Sequence, residues 1–118
     1  MATIPNQNSA TGNTRGVVVQ WGPLANGDDG EAIPFSQYAD KSVQVTGTFG
    51  AGGSVRFEGS NDGGTNWAPL TDVQGNALDF TSARIKQVTE VTALTRPRVT
   101  GGDGSTSLTV SLCMRESS

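Results

Sequence analysis

Histidine is missing from this chain of 118 residues, and cysteine occurs once, at Cys113. The first absence excludes the usual zinc sites and any histidine-based catalytic triad. The second excludes an intrachain disulfide and a multi-cysteine metal site. Charge is scarce too: eight Lys and Arg against eleven Asp and Glu leave a net charge of −3. The basic residues are scattered, with only Arg84/Lys86 and Arg96/Arg98 close together. Nucleic acid, whose phosphates are held by clustered Lys and Arg, is therefore not an expected partner. No apolar run approaches the roughly 20 residues that cross a bilayer, so no membrane is expected either. Met1–Asn8 lacks the basic and apolar regions of a secretory signal, and the expectation is a soluble protein made in a cytoplasm.

What the chain has in quantity is glycine, sixteen of them, together with Thr, Ser and Val. That composition favours short strands joined by tight turns. The length suits one domain, and an apolar fraction of 34% with 6% aromatics requires an economical core. The sharpest local signal runs from Val55 to Trp67. Val55 and Phe57 alternate with Arg56 and Glu58, the period of a half-buried strand. Asn61-Asp62-Gly63-Gly64 then supplies residues that tolerate a tight reversal, and Trp67 opens a returning strand to Leu70. The segment predicts a β-hairpin with a polar loop and a buried aromatic.

The rest of the chain repeats this design. Residues 1–14 are polar and predict an N-terminal arm, either frayed or ordered on a neighbouring subunit, with the folded domain spanning 15–118. Arg15–Leu24 predicts a strand with Val17, Val19 and Trp21 on one face. Ile33, Phe35 and Tyr38 suggest a short second strand. Lys41–Phe49 puts Val43, Val45, Gly47 and Phe49 inward. Leu78 and Phe80 alternate around Asp79, whereas Thr81–Leu94 is ambiguous between helical and extended spacing. The last strand, Ser105–Arg115, places Leu108, Val110, Leu112 and Met114 on the core face. About eight short strands without a long amphipathic helix predict an all-β fold, a single β-sandwich of jelly-roll or Greek-key type with a flexible N-terminal arm.

The candidate chemistry is thin. Asp28, Asp29, Glu31, Glu58, Asp62 and Asp103 concentrate in or beside turns, where oxygen-rich loops can hold Ca²⁺, but none has EF-hand spacing and Asp-Gly pairs form turns anyway. No two carboxylates are placed opposite one another as a glycosidase needs, so the reading is a non-enzyme with no cofactor and no metal. Trp21 and Trp67 suit sugar stacking in principle, yet both fall in phase with core residues, and burial is the stronger reading. Arg96-Pro97-Arg98 reads as an edge-protected strand start, or as a pair of arginines that meet the carboxylates of a partner.

Three groups of segments together resemble a family: Val45–Phe49; Phe57–Gly63 with Trp67; and Arg96–Gly102 with Leu108–Val110. They are similar to the head decoration, or cement, proteins of tailed bacteriophages. The resemblance implies a compact β-sandwich, a homodimer or homotrimer, bound to the major capsid protein on the outer surface of the virion. Contacts are then expected from the arm (Ala2, Thr3, Ile4, Pro5 and Asn6) and from Arg96 and Arg98. The hairpin also resembles those of discoidin-like domains, which are usually longer and often disulfide-tied. That likeness implies the alternative function, a carbohydrate-binding or host-attachment module whose partner is a host surface glycan, with Tyr38 or Trp67 as the exposed aromatic.

Overall fold

The computed structural model describes residues 2–10 and 16–115. Among them are eleven strands: β1 (Thr3–Ile4), β2 (Asn6–Ala10), β3 (Gly16–Leu24), β4 (Asp29–Gly30), β5 (Asp40–Thr48), β6 (Ser54–Ser60), β7 (Ala68–Pro69), β8 (Asp79–Phe80), β9 (Arg84–Val88), β10 (Leu94–Gly101) and β11 (Ser107–Arg115). One sheet has the order β1-β4-β10-β6-β7, with β8 also on β6; the other runs β2-β3-β11-β5-β9. The chain is an all-β protein in which the two sheets pack as a sandwich.

Alternation decides which face of each strand is buried. Val43 and Val45 of β5, Val55 and Phe57 of β6, and Leu108, Val110, Leu112 and Met114 of β11 all enter one core, as expected. Trp21 of β3 crosses the interior to meet Phe57 of the opposite sheet edge-on, with ring centroids 6.2 Å apart. Its indole N–H donates to the Glu31 carbonyl at 2.9 Å, so the one polar atom on this buried ring is satisfied. A register shift between Leu108 and Val110 then re-phases β3, and Leu24 also reaches the core three residues after Trp21.

Several expectations change. Residues 2–10 do not run free as an arm. Thr3–Ile4 pairs in parallel with β4, and Asn6–Ala10 lies antiparallel along β3. Pro5, at the point where the segment passes from one sheet to the other, has no strand pairing. Met1 and residues 11–14 of the expected arm, and residues 15 and 116–118 of the expected domain, lie outside the described residues. The short second strand expected at Ile33–Tyr38 reduces to a single bridge between Ile33 and Thr95, and the strand forms earlier, at Asp29–Gly30. The ambiguous segment is extended: β9 buries Val88 and leaves Ile85 62% exposed.

Pro97 corrects the edge reading of its segment. β10 lies between β4 and β6, so Pro97 sits in an interior strand, where a missing N–H is ordinarily costly. Toward β6 it faces Phe57, whose own N–H and C=O turn away to Leu78 and Leu70. Toward β4 the pairing passes from Arg98↔Asp29 to Thr95↔Ile33, three residues on one strand against four on the other. Pro97 falls inside that irregularity, where no amide is called for. Gly30 completes the fit, since a Cβ there would lie 2.6 Å from Trp21 Cδ1 and 2.7 Å from Pro97 Cδ.

Candidate functional site

The outer face of the β1-β4-β10-β6-β7 sheet carries a ladder of ion pairs. Arg96 Nε donates to Glu58 Oε1 at 2.9 Å, and Arg96 Nη1 reaches Asp29 Oδ2 at 3.4 Å. Arg98 Nε lies 3.4 Å from the same Glu58 oxygen, and Arg56 Nε bonds Asp79 Oδ1 at 2.8 Å. Alternation explains the alignment, because the even-numbered residues of β6 and β10 share the outward face while Val55, Phe57, Thr95, Pro97 and Val99 point in. Glu58 is only 2% exposed, so its charge is stabilised by these guanidinium groups rather than by water. Among the described residues Arg98 Nε, itself buried, has no hydrogen-bond partner.

The two segments singled out for partner contact meet at this ladder. The Ala2 amide donates to Asp28 Oδ1 at 3.1 Å, and Thr3 Oγ1 to Asp29 Oδ1 at 2.7 Å. Asp29 therefore joins the N-terminal strand to Arg96. Ile4 is half-buried against the core periphery, and Asn6 donates through Nδ2 to Glu31 Oε1 at 2.9 Å. Arg96 is thus engaged by carboxylates of its own chain, and so are Arg98, Ala2, Thr3 and Asn6 among the residues expected to grip a neighbour.

Trp67 is not a core residue. It is half-buried on the outside, with the Arg96 guanidinium 4.1 Å from its ring centroid and its indole N–H donated to the Gly64 carbonyl at 3.0 Å. The hairpin expected between β6 and β7 is present, with Glu58 opposite Pro69 and Gly59 opposite Ala68. Its loop is braced by Asp62, whose carboxylate accepts from the amides of Thr65 and Asn66, from Asn66 Nδ2 and from Ser60 Oγ. Those bonds, the Asn66 amide foremost, hold the Asp62 carboxyl down to about 2. Beside this loop a groove of about 310 Å³ opens toward Glu90 and Thr92.

The other sheet presents a different surface. Its register sets Gln20, Ser111, Gln44 and Ile85 in one row and Val18, Cys113, Ser42 and Gln87 in the next. Thr109 beside Thr46 and Ser107 beside Thr48 extend the same face, and the Arg115–Asp40 ion pair at 3.4 Å closes one end. Four adjacent strands thus offer outward rows without a charge until that pair. Strand alternation in the sequence already turns Ser42, Gln44, Thr46 and Thr48 outward and sets Cys113 on one face with Thr109 and Ser111; the register that joins them into rows is legible only in the structure. Their signal is the polar half of the strand alternation, Ser42-Gln44-Thr46-Thr48 and Ser107-Thr109-Ser111.

Compared with models of known families, with curated proteins and with solved structures, the chain matches none.

Among the described residues no group of three or more Cys, Asp and Glu side chains is arranged to hold a metal ion. Asp28, Asp62, Asp72 and Asp103 are instead turned onto backbone amides of their own loops, which uses their oxygens locally. Lys41, on the inward face of β5, donates to the Tyr38 carbonyl at 3.2 Å. Burial pulls the Lys41 pKa below its ordinary value, opposed by the nearby Glu90 and Asp40 charges. Tyr38, named above as an exposed aromatic, is half-buried and packs edge-on against Phe35.

Proposed function

We propose that this protein is a head-decoration protein of a tailed bacteriophage. On this reading it is a structural virion component that binds the outer surface of the capsid as a homodimer or homotrimer and stabilises the head. The observation that supports the reading best is the uncharged outer face of the β3-β11-β5-β9 strands. A protein lattice that must be gripped tightly favours a surface whose centre requires no charge to be stripped of water, and depletion of charge is the compositional mark of interface centres. The rigid two-sheet body gives such a face a fixed shape, and the resemblance of the Val45–Phe49, hairpin and Arg96–Gly102 segments points the same way. No step of this function requires catalysis.

On this reading a gene for a major capsid protein is expected beside the gene for this chain, and capsids assembled from its product provide the test. The purified chain should co-sediment with expanded capsids and raise the temperature at which they break. Replacing Ser42 with Lys and Gln44 with Glu puts charge at the centre of the proposed face without touching the core. The doubly substituted protein should keep its circular dichroism and lose capsid binding. A wild-type chain that ignores capsids, or charge substitutions that leave binding intact, would sink this reading or its choice of face.

A further inference from the structure

We propose that the groove beside the β6–β7 hairpin binds an uncharged sugar ring, a function beyond docking to a capsid shell. Trp67, Pro69 and Leu70 contribute carbon surface, and Asn61, Asn66 and Glu90 contribute the polar groups. Gly59 helps to shape the groove, because a Cβ there would lie 2.5 Å from Thr92 Oγ1 and 2.9 Å from Leu70 Cδ2. The volume of about 310 Å³ falls at the small end of the roughly 300–1,000 Å³ typical of ligand sites.

The polar groups are each held at one end and open at the other. Asn61 Oδ1 accepts from the Ala93 amide at 2.7 Å, which assigns Nδ2 as a donor without a partner among the described residues. Asn66 Nδ2 donates to Asp62 Oδ2 at 2.8 Å, which leaves its Oδ1 as an acceptor without a partner among the described residues. Glu90 accepts from the Thr71 amide at 2.8 Å and from the Thr71 hydroxyl, one bond on each oxygen, and a carboxylate has room for about four. One fixed donor and two fixed acceptors beside carbon surface match a pyranose ring, which has C–H faces and hydroxyl groups that both donate and accept. The groups lose little freedom on binding because protein bonds already hold them.

Charge narrows the ligand further. Burial acts to raise the Glu90 pKa, but the Thr71 bonds, aided by a backbone bond at Glu90 and by the nearby Lys41 charge, outweigh it and the carboxyl ends below its ordinary value. No Lys or Arg lines the groove, and Arg96 is engaged with the Trp67 ring and with Glu58. A phosphate, sulfate or uronate would therefore meet the Glu90 carboxylate with no cation on the groove wall itself, since Lys41, near Glu90, lies outside the lining and donates to the Tyr38 carbonyl.

The test is an amide and indole NMR titration of the full chain with the methyl glycosides of glucose, galactose and mannose, with N-acetylglucosamine, and with glucuronate as the anionic control. At least one neutral sugar should shift the side-chain amides of Asn61 and Asn66 and the indole of Trp67, with a Kd in the millimolar range. Asn61→Asp keeps the acceptor for Ala93 and replaces the free donor with a carboxylate oxygen, which adds a negative charge but cannot donate to a sugar hydroxyl. It should weaken binding about tenfold, the size of a ligand hydrogen bond, with an unchanged melting temperature. Glu90→Gln should weaken binding as well. No shift with any neutral sugar at about 50 mM, where a millimolar site would be nearly full, overturns the proposal. Shifts confined to another surface, glucuronate binding as well as the neutral sugars, or two silent variants overturn it equally. A short uncharged peptide that shifts these groups when no sugar does would reassign the groove to peptide. Capsid co-sedimentation of the Asn61→Asp protein reads the decoration function separately.

Discussion

Arg96 and Trp67 are stacked, with the guanidinium 4.1 Å from the ring centroid, and the same guanidinium holds Glu58 through Nε at 2.9 Å. One side chain therefore fixes the hairpin aromatic and neutralises a carboxylate that is almost wholly buried. Replacing it with Met should remove both functions while keeping much of its packing volume. The expected loss is roughly 3 kcal/mol, the low end for breaking a buried pair, because Arg98 remains near Glu58. Urea unfolding measures the loss, and Trp67 fluorescence should change in the folded state. Adding Glu58→Gln to Arg96→Met should recover part of the stability, since no buried charge is then left alone. A double variant weaker than the single one would contradict this account.

Gly30 should tolerate no side chain. A methyl group there meets Trp21 and Pro97, neither of which has a flexible end to move aside. Gly30→Ala is expected to cost about 1–3 kcal/mol by overpacking. Thermal unfolding checks the value, and Pro97→Ala in the same background should relieve part of it.

Acid should weaken the loops before the core. The carboxyls of Asp62 and Asp103 are each held down to about 2 from 3.8, Asp62 chiefly by the Asn66 amide and Asp103 chiefly by the Ser105 hydroxyl. A depressed folded-state pKa stabilises fully above the unfolded value and is lost as pH falls through the folded one. Stability should therefore decline between about pH 4 and pH 2. The Asp62→Asn/Asp103→Asn double variant should show a flatter decline over that window. Urea midpoints from pH 6 to pH 2 decide it, and an equal slope in both proteins would remove these two groups as the cause.

Leu112 lies at the centre of β11, fully buried between neighbours on β3 and β5. Leu112→Ala should cost about 2–5 kcal/mol, from lost transfer energy plus the cavity left behind. A change within experimental noise would mean that the core closes around the gap.

Removing Ala2–Ala10 should destabilise the fold rather than pass unnoticed. The deletion strips Asp28 and Asp29 of bonds from Ala2 and Thr3, uncovers the edge of β3 and exposes the core periphery at Ile4. The melting temperature should fall, and hydrogen exchange should quicken along β3. An unchanged melting temperature would mean that the segment adds nothing to the domain.

The residue order alone determined the alternating strands and their buried faces. Val43/Val45, Val55/Phe57 and Leu108–Met114 are legible because a two-residue period with one apolar face has a single low-energy placement once a core exists. The β6–β7 hairpin was legible for a similarly local reason, since its glycines and Asp62 act within a few residues of one another. Only the tertiary structure decided the rest. Trp67 stands just before its strand, where alternation assigns no face, and its position follows from Arg96 and from the braced loop. The N-terminal residues have little apolar pattern to read, yet their backbone amides and carbonyls pair as those of any residue can. Arg96-Pro97-Arg98 looks like an edge because proline lacks a ladder donor. Whether that donor is needed depends on the neighbouring strand, and here the two-residue β4 and the irregularity before Ile33 ask for none. The groove and the uncharged face are likewise products of register, which brings together side chains that lie far apart along the chain.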